Sequence, residues 1–190
     1  GGVRGHGFKS VPPVPILNPN KGKCVDRPRP AGLLHAPASA SFPLVPETED
    51  EWFDVVDERD RVVGRETRSV VHRLGRLHRA VHIFVLDGQG GVFLQRRSMA
   101  KDQFPGIWGT SAAGHLDAGE SYDAAARREF REELGIEPPL LEFRFKVDAR
   151  PETGWEFVQV YACISAGPFS LNPAEIDEGR WFPADRLEET

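Results

Sequence analysis

A chain of 190 residues with 24 basic and 29 acidic side chains, formal charge −5, is long enough for one domain with a sizeable buried core and some chain left over. No apolar run approaches the roughly 18 residues of a membrane-spanning helix, so the sequence reads as a soluble, cytoplasmic protein. The two cysteines, Cys24 and Cys163, form no C-x-x-C pattern, which argues against a disulfide framework or a zinc site.

Charge divides the chain. Up to Pro46 there are six basic residues and one acid, which leaves −10 for the remainder. An acidic remainder speaks against a nucleic-acid polymer as partner and suits a domain that gathers carboxylates around cations and admits a small anion. Residues 1–47 also hold nine of the 16 prolines and no hydrophobic period, so they are expected to be a disordered tail. The tail is basic enough for organellar targeting but Pro-rich where a transit peptide is Ser-rich, and its first residue is Gly1, which reads as a fragment or an upstream extension.

The folded domain is expected over residues 48–190. Trp52 to Asp57 reads as a strand, Glu58 to Asp60 as a turn and Val62 to Gly64 as a short return strand. Val81 to Asp87 is a buried-strand run, joined through Gly88-Gln89-Gly90-Gly91 to Val92–Arg96 as a hairpin. A polar loop with Arg97, Lys101, Pro105 and Gly106 leads to Trp108, read as packing, and to a short strand, WGTSAAG. After one helix Pro138-Pro139 breaks the chain. Strands follow at Leu141 to Val147, Phe157 to Ile164 (with a buried, inert Cys163) and Glu178 to Phe182, then a helix from Ala184. This order of elements gives α/β or α+β.

The middle stretch, GHLDAGESYDAAARREFREELGI at residues 114–136, carries the chemistry. Ser121 is placed to N-cap a helix that runs to Leu134 and stops at Gly135. On that helix Glu129, Glu132 and Glu133 are spaced i, i+3, i+4, so their carboxylates share an arc of roughly 100°. Each like-charged pair costs about 0.2–0.5 kcal/mol, a cost removed by a divalent cation among them. All-oxygen ligands favour Mg2+ or Mn2+ over Zn2+.

The spacing is Gly114, five residues, Glu120, seven residues, Arg128-Glu129, apolar Phe130, Arg131, Glu132-Glu133, Leu134, Gly135 and apolar Ile136. It resembles the Nudix box at every defined position, a match expected by chance about once in 10^8 windows at residue frequencies near 7%. The resemblance covers about residues 51–190. It implies the Nudix fold, a mixed β-sheet sandwiched between helices, and a metal-dependent hydrolase of a small organic diphosphate, nucleoside or prenyl. It further implies that Glu129, Glu133 and Glu132 are metal ligands, with the Gly114 carbonyl as another, and that Arg128 and Glu120 pair to fix the loop against the helix. The general base in such enzymes is a box glutamate or one from a later loop. Of Glu156, Glu175 and Glu178 downstream, Glu178 is the expectation. The final helix of the family is usually longer than Ala184 to Thr190 supplies, an expectation of truncation at the C-terminus.

A narrower resemblance lies in LHRAVHIFVLDGQGGVFLQRRSMAKDQFPGIWGTSAAGH and LDAGES, which look like the branch of isopentenyl-diphosphate isomerases and their related hydrolases. It implies that Arg97 and Lys101 grip the diphosphate and that His78 and His115, with His72 beside them, bind a metal. His82 reads as an ordinary strand histidine. Two departures matter. Ala113 stands where the isomerases have a catalytic cysteine, and Gly154 stands at the first position of their Glu-x-Glu pair, leaving Glu156. Allylic isomerisation needs two opposed acid/base groups. Hydrolysis is therefore the consistent reading, with an isomerase-like enzyme or a catalytically silent binding module as alternatives. A silent module would be expected to lose box glutamates, and all four are present.

Overall fold

The structure is a computed structural model that describes residues 51–101 and 103–189. The expected tail at residues 1–47, with Cys24, lies outside them. Two antiparallel strands open the described chain, β1 (Trp52–Val56) and β2 (Val62–Thr67). Asp57 closes the turn between them by accepting the amides of Arg59 and Arg61 at 2.9 and 3.0 Å. A two-turn helix, α1 (Arg68–Leu74), follows and ends at Gly75 with φ +59°.

The main sheet contains β3 (His78–Leu86), β4 (Gly91–Arg97), β5 (Trp108–Gly109), β6 (Ala112–His115), β7 (Glu142–Val147), β8 (Glu156–Ile164) and β9 (Ile176–Pro183). β8 runs parallel to β3 along its whole length, and β7 pairs antiparallel outside β8. On the other edge of β3, register 80–83 pairs with β6 and register 85–86 with β4. β4 in turn pairs with β5 at Gln95 and Arg96, and with β9 on its far edge. β3 and β4 therefore diverge, and the segment 108–115 fills the fork.

Ser111 holds the fork. Fully buried, it receives the Val85 amide at 2.7 Å on its hydroxyl, donates that hydroxyl to the Phe93 carbonyl, and gives its own amide to Ile83 at 2.9 Å. The stretch expected as one strand is thus two, hydrogen-bonded to different partners.

The long helix α2 (Tyr122–Leu134) is capped as its sequence predicts: the Ser121 hydroxyl accepts the Ala124 amide at 3.3 Å, and Gly135 closes it at φ +69°. Its buried stripe is Ala125, Ala126, Phe130, Glu133 and Leu134. Its apolar members pack with Val81, Ile83 and Val85 of β3, Ala112 of β6 and Tyr161 and Cys163 of β8. Full burial of Phe130 and Leu134 contributes about 1.5–3 kcal/mol each. The carbonyls left over at the helix end accept the amides of Ser170 (from Leu134, 2.9 Å) and Asn172 (from Glu133, 3.0 Å), so the loop leading to β9 is tied to α2. Past β9 the chain forms a 3-10 turn, Ala184–Glu189, where an α-helix was expected. Cys163 is buried as expected, with its thiol pushed up to about 11 by that burial. Trp108 packs edge-on against Phe182 at 5.1 Å.

Candidate active site

Residues 114–136 fold into a loop and helix whose charged groups meet at one guanidinium. Arg128 Nη2 and Nε bond Glu120 at 2.8 and 3.1 Å, Nη1 bonds Glu129 at 2.7 Å and Glu132 at 3.1 Å, and Nη2 also donates to the His115 carbonyl at 2.9 Å. The expected Arg128–Glu120 pair is present and does more than pair. It carries the helix charge to the backbone just after Gly114. Gly114 stands directly against Glu129: a Cβ there would collide with the Glu129 carboxylate, so only glycine lets that carboxylate lie against the β6 backbone.

Glu133 lies deeper. It is 2% exposed, and its Oε2 accepts the Ala113 amide at 3.3 Å and the Gln95 side-chain amide at 3.2 Å. Burial pushes its carboxyl well above the ordinary range, and the neighbouring Glu129 charge adds to this. Burial likewise raises Glu129 to about 7, against the opposing pull of Arg128. Two carboxylates driven toward protonation side by side, with a third beside them, are short of positive charge. A divalent cation would supply it.

The groups outside this cluster divide by sheet face. Gln95 reaches Glu133, and two residues on, Arg97 lies near enough for its charge to act on Glu133, while its Nε donates to the Gln103 carbonyl at 2.8 Å. Lys101 pairs with Glu175 at 2.6 Å. Glu175 bears electrostatically on both Glu129 and Glu133. Glu178 does not join them. It pairs in register with Arg96, one residue from Gln95 and hence on the opposite face of β4, and its carboxylate bonds Arg96 at 3.4 Å and Arg180.

That opposite face carries a second cluster. His72 of α1, His78 of β3, His115 of β6 and Glu156 of β8 each bring a ligand-type atom within 4.8 Å of the others. Glu156 Oε1 is 3.1 Å from His115 Nε2 and 3.5 Å from His78 Nε2. His78 Nδ1 bonds the Arg76 carbonyl at 2.8 Å, leaving its Nε2 buried without a hydrogen-bond partner, as is His72 Nε2. Phe53 packs on all three rings, stacked on His115 at 4.8 Å and on His78 at 5.9 Å. Burial would raise the Glu156 carboxyl, yet the imidazoles of His115 and His78 beside it hold it well below the ordinary range. Burial, with His115 and His78 nearby, lowers His72 to about 4.

Comparison with known proteins accounts for the box. The family model of the NUDIX domain matches residues 76–190. The chain belongs to the Nudix hydrolase family. A Nudix hydrolase of Yersinia pestis is 38% identical over 141 residues, 72% of this chain and 75% of that protein. One of Streptomyces coelicolor is 40% identical over 143 residues, 73% of this chain and 78% of that protein. Among solved structures, DR0079 from Deinococcus radiodurans superposes with a TM-score of 0.64 at 36% identity, covering 72% of this chain and 86% of that one. This Nudix chain is thus an enzyme of the α+β class whose family generally hydrolyses diphosphate bonds in nucleoside diphosphate derivatives, with divalent metals.

Within the Nudix frame, Gly114, Glu120, Arg128, Glu129, Glu132 and Glu133 come together, with Arg97 at the end of β4 and Lys101 on the loop that follows. His115 stands at the junction, its carbonyl on the box and its ring in the second cluster. Glu156, read from sequence as one of three later acids, is drawn into that cluster. Of the later acids, Glu175 rather than Glu178 lies near enough to the box for its charge to act on Glu129 and Glu133. Asn172, three residues before Glu175, is held by its amide to the end of α2.

Proposed function

We propose that this chain is a Mg2+-dependent hydrolase (Mn2+ substituting) of the P-O-P bond of a small organic diphosphate. The observation that carries the reading is the buried pair Glu129 and Glu133, raised toward protonation beside Glu132. Glu129, Glu133 and Glu132 would hold the cation with the Gly114 carbonyl. The bound ion supplies charge for the diphosphate and acidifies the attacking water. Arg128 and Glu120 keep the loop and helix in register. Arg97 and Lys101 bind phosphate oxygens, Lys101 by leaving Glu175, and His115 lines the site. Glu175, freed of Lys101, is our choice for general base, in place of Glu178. The test is phosphate release from a panel of nucleoside and prenyl diphosphates with Mg2+ or EDTA. Wild type should be active only with the metal, and Glu133→Gln should lose most activity while staying folded. Near-normal turnover by the variant would sink the proposed site.

The four-residue cluster His72, His78, His115 and Glu156 favours a second reading, an isopentenyl-diphosphate isomerase-like member with a further metal on this face. Orphaned imidazole nitrogens beside a carboxylate fit a nitrogen-preferring ion. Ala113 has no proton to give, so isomerisation lacks one of its two groups. NMR of isopentenyl diphosphate incubated with the protein decides it: dimethylallyl diphosphate would establish the isomerase, and release of phosphate alone the hydrolase.

A further inference from the structure

The box loop turns tightly at residues 117–120, and the four backbone amides there show what holds it. Glu120 donates to the Asp117 carbonyl at 2.9 Å and closes the turn, with Gly119 at its third position and φ +86°. Asp117 donates to the Glu120 carboxylate at 3.1 Å. The other two amides find their partners outside the loop. Ala118 donates to the Trp52 carbonyl at 2.7 Å, and Gly119 donates to Asp54 Oδ2 at 2.8 Å. Both acceptors lie on β1, in the hairpin that precedes the residues matched by the family model.

Asp54 is buried, only 6% exposed, which costs a carboxylate its hydration. Its cross-strand neighbour Arg65 bonds Oδ1 through Nε at 3.0 Å, but Arg65 is 59% exposed, and a pair open to water on one side stabilises little. The Gly119 amide takes the second oxygen, a charge-assisted bond of the stronger kind. β1 is itself firmly placed. The Val56 amide bonds the Leu77 carbonyl at 2.9 Å, the Arg68 amide bonds the Glu51 carbonyl at 2.7 Å, and Phe53 is buried against the three histidine rings. From the turn an unbroken run of bonds reaches the helix carboxylates: Glu120 holds Arg128 through both oxygens, and Arg128 holds Glu129 and Glu132. A shift of the turn therefore shifts Glu120 and, with it, the guanidinium that Glu129 leans on.

We propose that Asp54 is a positioning residue of the hydrolytic site: it fixes the turn at residues 117–120, and so sets where Glu120 holds Arg128 and where Arg128 holds Glu129. This rests on the diphosphate-hydrolase reading above, in which Glu129 is a metal ligand. What Asp54 supplies is an acceptor oxygen at one place rather than a charge.

The test uses the full chain and three substitutions at this position. Asp54→Asn keeps an oxygen facing the Gly119 amide, Asp54→Glu keeps the charge but moves the acceptor by one carbon–carbon bond, and Asp54→Ala removes it. With Mg2+ and the best diphosphate substrate, kcat should fall about tenfold or more in Asp54→Ala and Asp54→Glu, with KM little changed. Asp54→Asn should stay near wild type. Mn2+ affinity, followed by the electron paramagnetic resonance of the free ion, should fall in the same two variants. Asp57→Ala, which loosens the far turn of the hairpin, should lower the melting temperature and leave kcat and Mn2+ affinity unchanged. Adding Asp54→Ala to Glu120→Ala should lower kcat no further, because the two act in one line. Wild-type kcat and Mn2+ affinity in Asp54→Ala and Asp54→Glu, or losses that multiply in the double variant, would overturn the positioning role and leave the hydrolase reading standing. Should Asp54→Ala not fold, equal kcat in Asp54→Glu and Asp54→Asn overturns it. No metal-dependent hydrolysis of any diphosphate by wild type, with Mn2+ affinity unaltered in Glu129→Gln, would overturn both.

Discussion

Gly114 shows how much a single missing side chain does. A Cβ there would collide with the Glu129 carboxylate, and that carboxylate is the flexible end of its chain, so Gly114→Ala should fold with Glu129 displaced. Displacement of a site group by an ångström can cost about 100-fold in rate. We expect kcat to fall by about that factor with little change in melting temperature, and an unchanged kcat would show that Glu129 does not act from this position. Gly114, Glu120, Arg128 and the three helix glutamates were legible in sequence because their spacing along one loop and helix fixes their geometry locally. Glu178 and Glu175 were not. Which face a strand residue presents depends on register with its partner, and a choice between two acids three residues apart turns on the pairing of Glu178 with Arg96. Glu156 was half legible: its type suited a site, but its partners come from α1, β3 and β6.

The elements differ in the same way. α2 could be read from Ser121 to Gly135 because its caps are local signals, and Ser121→Ala should cost about 1 kcal/mol in urea unfolding. α1 escaped reading because Thr67 makes no side-chain cap bond and Val70 and Val71 are β-branched. The fork at β5 and β6 escaped because it depends on where β3 and β4 part. Ser111→Ala leaves the Val85 amide and Phe93 carbonyl buried without their partner. At about 1–3 kcal/mol for each unsatisfied group, it should destabilise the protein by about 2–6 kcal/mol, clearly more than the exposed cap. A smaller loss at Ser111 than at Ser121 would mean that the fork is held by the strands alone.

At the scale of the whole molecule, the raised box carboxylates couple stability to pH and metal. In the metal-free protein Glu129 titrates near 7 rather than 4.5. A folded-state pKa above the unfolded one means that the native state binds the proton more tightly, so its contribution is full below 4.5 and is lost as pH rises through about 7. His72, lowered from 6.5 to about 4, acts oppositely: its neutral form is the stable one, and stability rises with pH until 6.5. Below 6.5 the two trends oppose. Above it the carboxylates dominate, so the melting temperature with EDTA should fall as pH rises from 6.5 through 7, and Glu133 should extend the fall. The Glu129 share is on the order of 3 kcal/mol. Mg2+ binds the deprotonated form, so the melting-temperature gain it gives should grow across that range. In Glu129→Gln the fall should shrink and the gain should flatten. A Mg2+ gain independent of pH in the wild type would place the cation away from Glu129 and Glu133, and would make the His72, His78, His115 and Glu156 cluster the first site to load.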